Sequence, residues 1–202
     1  MVQRDFCRGN TTDTVFSENA GASFGEISGE ARLFHALDVA NVVASARVEG
    51  AKYRNQYFGL SFIAPGATVT IPSAKIAHGT AARLVDAVAG GPDRDDRYSI
   101  FVVADGLSNY PQLKSVEEYV GGISTQWRHD GAETTRDNFP YTISGVEFVG
   151  VILKVPDGPH TSHFRAILST VMKGYLLSLD ITAAKEQQIL KIASAIEFDQ
   201  GR

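Results

Sequence analysis

Three strand-like stretches follow one another in the second half of this chain with only turns between them. Residues 146–155 and 164–172 each have the length and β-branched, aromatic content of a long strand, with Pro156-Asp157-Gly158-Pro159 between them. Lys173-Gly174 then leaves a two-residue connection to a third strand pattern over 175–181. A connection that short joins antiparallel neighbours, because a parallel crossover needs a dozen residues or more. Helical patterns occur elsewhere, but without strict strand-helix-strand alternation. The expected class is therefore α+β, an antiparallel sheet with helices packed on it, rather than a doubly wound parallel sheet.

The first half carries its own hairpin signal. Tyr53 opens an aromatic strand, and Phe58, Leu60, Phe62 and Ala64 then alternate with other residues until Pro65-Gly66 turns the chain. Val69 and Ile71 suggest a short returning strand. Ala77, Ala81, Leu84, Val85 and Val88 recur at helical spacing, which predicts a helix closed by Gly90-Gly91-Pro92 and weakened early by Gly79. Asp93-Arg94-Asp95-Asp96-Arg97 reads as a charged loop, and 98–104 as a strand buried on both faces. Ser115 with Glu118 forms a capping box for a helix whose stripe is Val116, Tyr119, Val120, Ile123 and Trp127. Residues 129–141 look polar and loop-like. A closing helix is expected from about Ala184, with Ile189, Leu190, Ile192, Ala193 and Ile196 inward.

The domain reading follows from these patterns. Residues 1–29 are rich in Gly, Ser, Thr and Asn without periodicity and read as irregular. Leu33, Ala36, Leu37, Ala40, Val43 and Ala44 mark an amphipathic helix over about 30–47, so 30–49 is a helix and linker and 50–199 the main domain. The chain of 202 residues is long enough for one sizeable core. A net charge of -4 gives no basic footprint for nucleic acid, and no apolar run approaches the roughly 18 residues of a membrane span, so a soluble protein is expected. Cys7 is the single cysteine, which excludes an intramolecular disulfide and leaves the compartment open. The stretch 33–43 is interrupted by His35, Asp38 and Asn41 and lacks a basic start, so it does not read as a secretory signal.

Tyr53-Arg54-Asn55-Gln56-Tyr57-Phe58-Gly59-Leu60-Ser61-Phe62 with Pro65-Gly66 resembles the opening hairpin of the PsbP-like family, which includes the extrinsic PsbP subunit of photosystem II and uncharacterised bacterial members. The tail is similar as well, with Lys173-Gly174-Tyr175-Leu176-Leu177-Ser178-Leu179 followed by a helix ending Ala195-Ile196-Glu197-Phe198. The resemblance covers about residues 50–199. It implies an α/β/α sandwich around a central antiparallel sheet and a binding or assembly role rather than catalysis. Many relatives are exported. Bacterial members often place a Trp after the first-hairpin Pro, whereas Ala67-Thr68 follow Gly66 here. No shared reactive motif is carried over.

Few constellations carry chemistry. Asp157, His160 and His163 offer a carboxylate and two imidazoles within seven positions, enough for three metal ligands with one position open. Solvated turn histidines are the plainer reading of the same residues. Asp93, Asp95 and Asp96 lack the rest of a calcium loop, and Arg94 and Arg97 offer them partners. Gly-x-Ser-x-Gly and phosphate-loop patterns are absent. Asn109-Tyr110-Pro111 follows a buried strand, where recognition loops are common. The expectation is a non-catalytic binding or assembly module with no cofactor and an unknown protein partner. The alternative is a metal-dependent or small-ligand enzyme built on Asp157, His160 and His163.

Overall fold

The computed structural model describes residues 41–72, 81–91 and 93–199, so the expectations for residues 1–40 lie outside the described residues. Residues 41–44 are helical and lead directly into β1 (Ala46–Glu49). That strand stands where the sequence suggests the end of a helix and a linker, and it pairs with β2 (Lys52–Asn55) across a turn at Gly50. Then β2 pairs with β3 (Leu60–Ile63), so the aromatic hairpin forms as expected. Its bend is fixed by Asn55, which is fully buried. The Asn55 side-chain oxygen accepts from the Phe58 N–H at 3.1 Å, and its amide donates to the Val42 carbonyl at 3.0 Å. One side chain thus sets the turn and anchors the preceding helical end to it.

Pro65-Gly66 leads out of this sheet. The next strand, β4 (Ala67–Thr70), pairs with β5 (Ala81–Ala89) in a second sheet instead of returning onto β3. The helix expected around Ala81 to Val88 is this strand β5. Its register shifts between Arg83 and Val85 where it pairs with β6 (Tyr98–Gly106), and Leu84 and Val85 are both buried. A bulge places two consecutive residues inward and breaks the two-residue period, which gives the apolar positions their helix-like spacing. Ala77 lies outside the described residues.

A 14-residue helix, α1 (Val116–His129), starts at the expected cap, where Ser115 Oγ accepts from the Glu118 N–H at 3.3 Å. The stretch expected to be a loop is mostly β7 (Glu133–Ile143). It is an edge strand with two register irregularities, a positive φ at Asn138, and Pro140 within it. Edge strands tolerate proline and exposure on both faces, so the alternation that marks a strand is missing. Beyond it, β8 (Val146–Pro156), β9 (Ser162–Met172) and β10 (Tyr175–Ala183) form the expected hairpins. The closing helix α2 (Glu186–Ser194) is as expected. Glu197–Phe198, expected to finish that helix, instead form β11 and pair with β3.

Strand order is β1-β2-β3-β11 in one sheet and β4-β5-β6-β10-β9-β8-β7 in the other, and every pairing among the described strands is antiparallel. The molecule is α+β. Val151, Leu153, Ile167 and Leu176 meet Tyr119, Val120 and Ile123 of α1. Their strand neighbours Ile152, Leu168 and Leu177 point to the other face. There they join a core containing Ile189, Ala193 and Ile196 of the α2 region and Tyr53, Leu60 and Phe62 of the small sheet. The central strand β10 is buried on both faces, and each of Leu176, Leu177, Leu179 and Ile181 removes apolar surface from water. Burial of that kind contributes about 1.5–3 kcal/mol per side chain.

Gly59 closes the small sheet. Its φ is +66°, its carbonyl accepts from the Asp199 N–H at 2.8 Å, and a Cβ there would lie 2.3 Å from the Asp199 carbonyl oxygen. Gly59→Ala is expected to destabilise the fold by about 2–4 kcal/mol through strain and overpacking. Gly66→Ala, at φ +72° with open space, should lose only about 1–2 kcal/mol. Urea denaturation of both variants checks this; equal losses would mean that the β3–β11 junction is loose.

Burial pushes the Tyr53 phenol up to about 12 from its ordinary 10.0, against a smaller opposing effect of Asn55. A raised value means that the folded state holds the proton more tightly than the unfolded one. The resulting stability is complete below pH 10 and is lost as the pH rises towards 12. Melting temperature should therefore fall across that interval, and Tyr53→Phe should flatten the slope. An unchanged slope in the variant would contradict the burial of this hydroxyl.

Candidate functional site

The hairpin that opens the small sheet also builds a groove. Where β2 bends into β3, Phe58 packs edge-on against Tyr57 and against Tyr175, the first residue of β10. Tyr57 also meets Tyr175 edge-on, with ring centroids 6.0 Å apart. Beside this junction, between the two sheets, lies an open cavity of about 410 Å³. Phe58, Val146, Met172 and Phe198 supply its apolar surface, and Arg54, Gln56, Lys173 and Asp199 its polar rim. Polar and apolar groups share the lining about equally, and the volume lies within the range of ligand sites.

The two cations of the rim are placed by the strands beside them. Tyr53 and Asn55 point into the core, so Arg54 between them points out. Lys173 is the first residue of the two-residue loop between β9 and β10, with φ +51° followed by Gly174 at +81°. Those signs define a hairpin turn that favours Asn or Gly at the first position, so a lysine there is strained. Its ammonium donates to the Tyr57 carbonyl and lies 5.1 Å from the Tyr57 ring centroid. The lysine thus bridges the large sheet to the hairpin of the small one.

On the α1 face of the large sheet, Asn109 and Tyr110 are half-buried and turned inward, while Pro111 is exposed. Asn109 donates to one oxygen of the buried Asp105 at 2.7 Å and Tyr110 to the other at 2.5 Å. Burial, then the Asp105 charge, pushes the Tyr110 phenol far above its ordinary range. Burial pushes up Tyr119 in the same way, and its hydroxyl lies against Ser178 without a well-formed hydrogen bond. Two of the three residues expected in an exposed recognition loop therefore satisfy a buried carboxylate. Further along this face Arg165 donates to Asp180 at 2.8 Å and lies 4.3 Å from the Trp127 ring centroid. Trp127, half-buried, thus covers a paired guanidinium rather than standing open as an aromatic patch.

Asp157, His160 and His163 are placed apart in role. Asp157 and His160 are exposed in the β8–β9 turn, where the Asp157 N–H donates to the Thr161 carbonyl at 2.8 Å. His163 is half-buried in β9 and sits opposite Val155 in the sheet ladder. Among the described residues no group of three or more His, Cys, Asp or Glu side chains is arranged to hold a metal. In the charged loop, Asp95 pairs with Lys185.

The groove residues were not among the sequence candidates. Arg54, Val146, Lys173 and Phe198 come from four separated stretches, and only tertiary folding brings them together. One signal was present in the sequence. Lys-Gly in a two-residue hairpin puts an L-residue with a charged side chain where Asn or Gly is favoured.

No family model matches the chain, and no curated protein matches it in sequence. In structure it is similar to cyanobacterial PsbP (CyanoP) from Synechocystis sp. PCC 6803, with 15% identity and a TM-score of 0.45 over 88% of this chain and 98% of that one. It is also similar to LpqN of Mycobacterium tuberculosis, described as involved in cell envelope biogenesis, with 12% identity and a TM-score of 0.39 over 66% of this chain and 84% of that one. The first likeness is to the PsbP-like family that the hairpin resembles, and it is a likeness of fold, not of residue roles.

Proposed function

We propose that this chain is a non-catalytic binding module that holds an extended segment of a protein partner in the groove between its two sheets. The layers on either side of the large sheet are read with it as an α/β/α sandwich, a rigid support for that groove. The observation that carries the proposal is the groove itself, where Phe58, Val146, Met172 and Phe198 line one hollow together with Arg54, Gln56, Lys173 and Asp199. An extended segment suits it better than a compact ligand, because among the described residues β11 is the edge of its sheet and has no strand neighbour on its outer side. A peptide strand added to such an edge gains main-chain hydrogen bonds, while the adjacent hollow takes a side chain. The fixed geometry of Tyr57, Phe58 and Tyr175 keeps the hollow formed before the segment arrives, which lowers the entropy cost of binding.

Selection of a random heptapeptide display library on the immobilised full chain tests this. Enrichment of sequences with a large apolar residue is expected, and Met172→Trp, which fills the hollow, should abolish it. An enriched pool that binds both proteins equally, or no enrichment on the natural chain, would overturn the reading.

A further inference from the structure

We infer that the segment held in the groove is acidic, with an Asp or Glu beside its apolar anchor, read by Arg54 and Lys173. This rests on the reading of the groove as a peptide site. Arg54 is exposed and, among the described residues, makes no ion pair. Its cross-strand neighbour is Arg47, and like charges facing each other across a ladder repel. Arg47 is turned back to the carbonyls of Ala44 and Ala46, at 2.7 and 2.6 Å, and so offers Arg54 nothing. Glu49, at the far end of the same strand, sits opposite Lys52 rather than Arg54. The Arg54 guanidinium therefore keeps its fork of donors for a ligand, and that fork matches a carboxylate.

Lys173 adds a second cation to the same rim at a cost in backbone strain. Strain of this kind persists where the surroundings enforce it and gathers at binding sites. Only one of the three donors of the Lys173 ammonium is needed for the Tyr57 carbonyl. The rim holds two cations against the single carboxylate of Asp199, on a chain whose net charge is -4. A local positive rim on an acidic protein steers acidic segments to this hollow and repels basic ones.

The test compares two peptide pools, one selected on the natural chain and one on Arg54→Glu/Lys173→Glu. The first should carry Asp or Glu next to the apolar residue, and the second Lys or Arg at those positions. The most enriched peptide of the first pool, synthesised with a fluorescent label, should bind the reversed variant at least about tenfold more weakly, with the gap closing at high salt. Lys173→Asn relieves the left-handed turn while giving up the bond to the Tyr57 carbonyl, so it should fold with little net change in stability and still bind this peptide several-fold more weakly. An apolar pool without acidic excess, identical pools on both proteins, or full affinity in Lys173→Asn would overturn the acidic preference while leaving the groove reading intact. Absence of any enriched pool would overturn the groove reading itself.

Discussion

The contact on which the rest of the molecule depends is the aromatic junction of Tyr57, Phe58 and Tyr175. It joins the bend of the small sheet to the first residue of the central strand of the large one. Edge-to-face aromatic pairs contribute about 0.5–1.5 kcal/mol each beyond their buried area, and they also fix orientation. Without this junction the two sheets would meet through aliphatic packing and the Phe148–Phe198 ring contact, with no aromatic lock at the bend of the small sheet. With it, Arg54 of the second strand and Lys173 of the β9–β10 loop are held around one hollow. The function proposed for the groove is therefore a consequence of how the sheets are locked.

The two faces of the large sheet divide the work. On the face of α1, three buried polar groups are satisfied internally, Asp105 by Asn109 and Tyr110, Asp180 by Arg165, and Ser169 by Ser178 at 2.9 Å, while the Tyr119 hydroxyl is not. Each pairing spares a buried charge or hydroxyl the cost of lost hydration. On the opposite face an apolar core unites α2 with the small sheet, and the groove opens at its end. Polar residues on the first face act structurally, whereas Arg54 and Lys173 at the groove are turned outward.

How much of this was legible in the sequence depends on how local each feature is. The hairpins at 146–181, the Ser115 cap and the aromatic strand at Tyr53 are short-range patterns, and the structure has them. Strand β5 was hidden because the bulge at Leu84 and Val85 gave it helical spacing, and β7 because an edge strand need not alternate. The groove was least legible, since its residues lie up to about 145 positions apart and meet only in three dimensions. Asn109 and Tyr110 show the converse. Their loop position suggested exposure, but Asp105, four and five residues earlier, draws them inward.

Amide chemical-shift mapping with an acidic, apolar-anchored peptide addresses the central claim most directly. The largest shifts should fall on Gly59, Met172, Lys173, Phe198 and Asp199, with Asn109 and the β8–β9 turn around His160 unaffected. Shifts centred on Asn109 to Pro111 or on His160, with the groove silent, would contradict it.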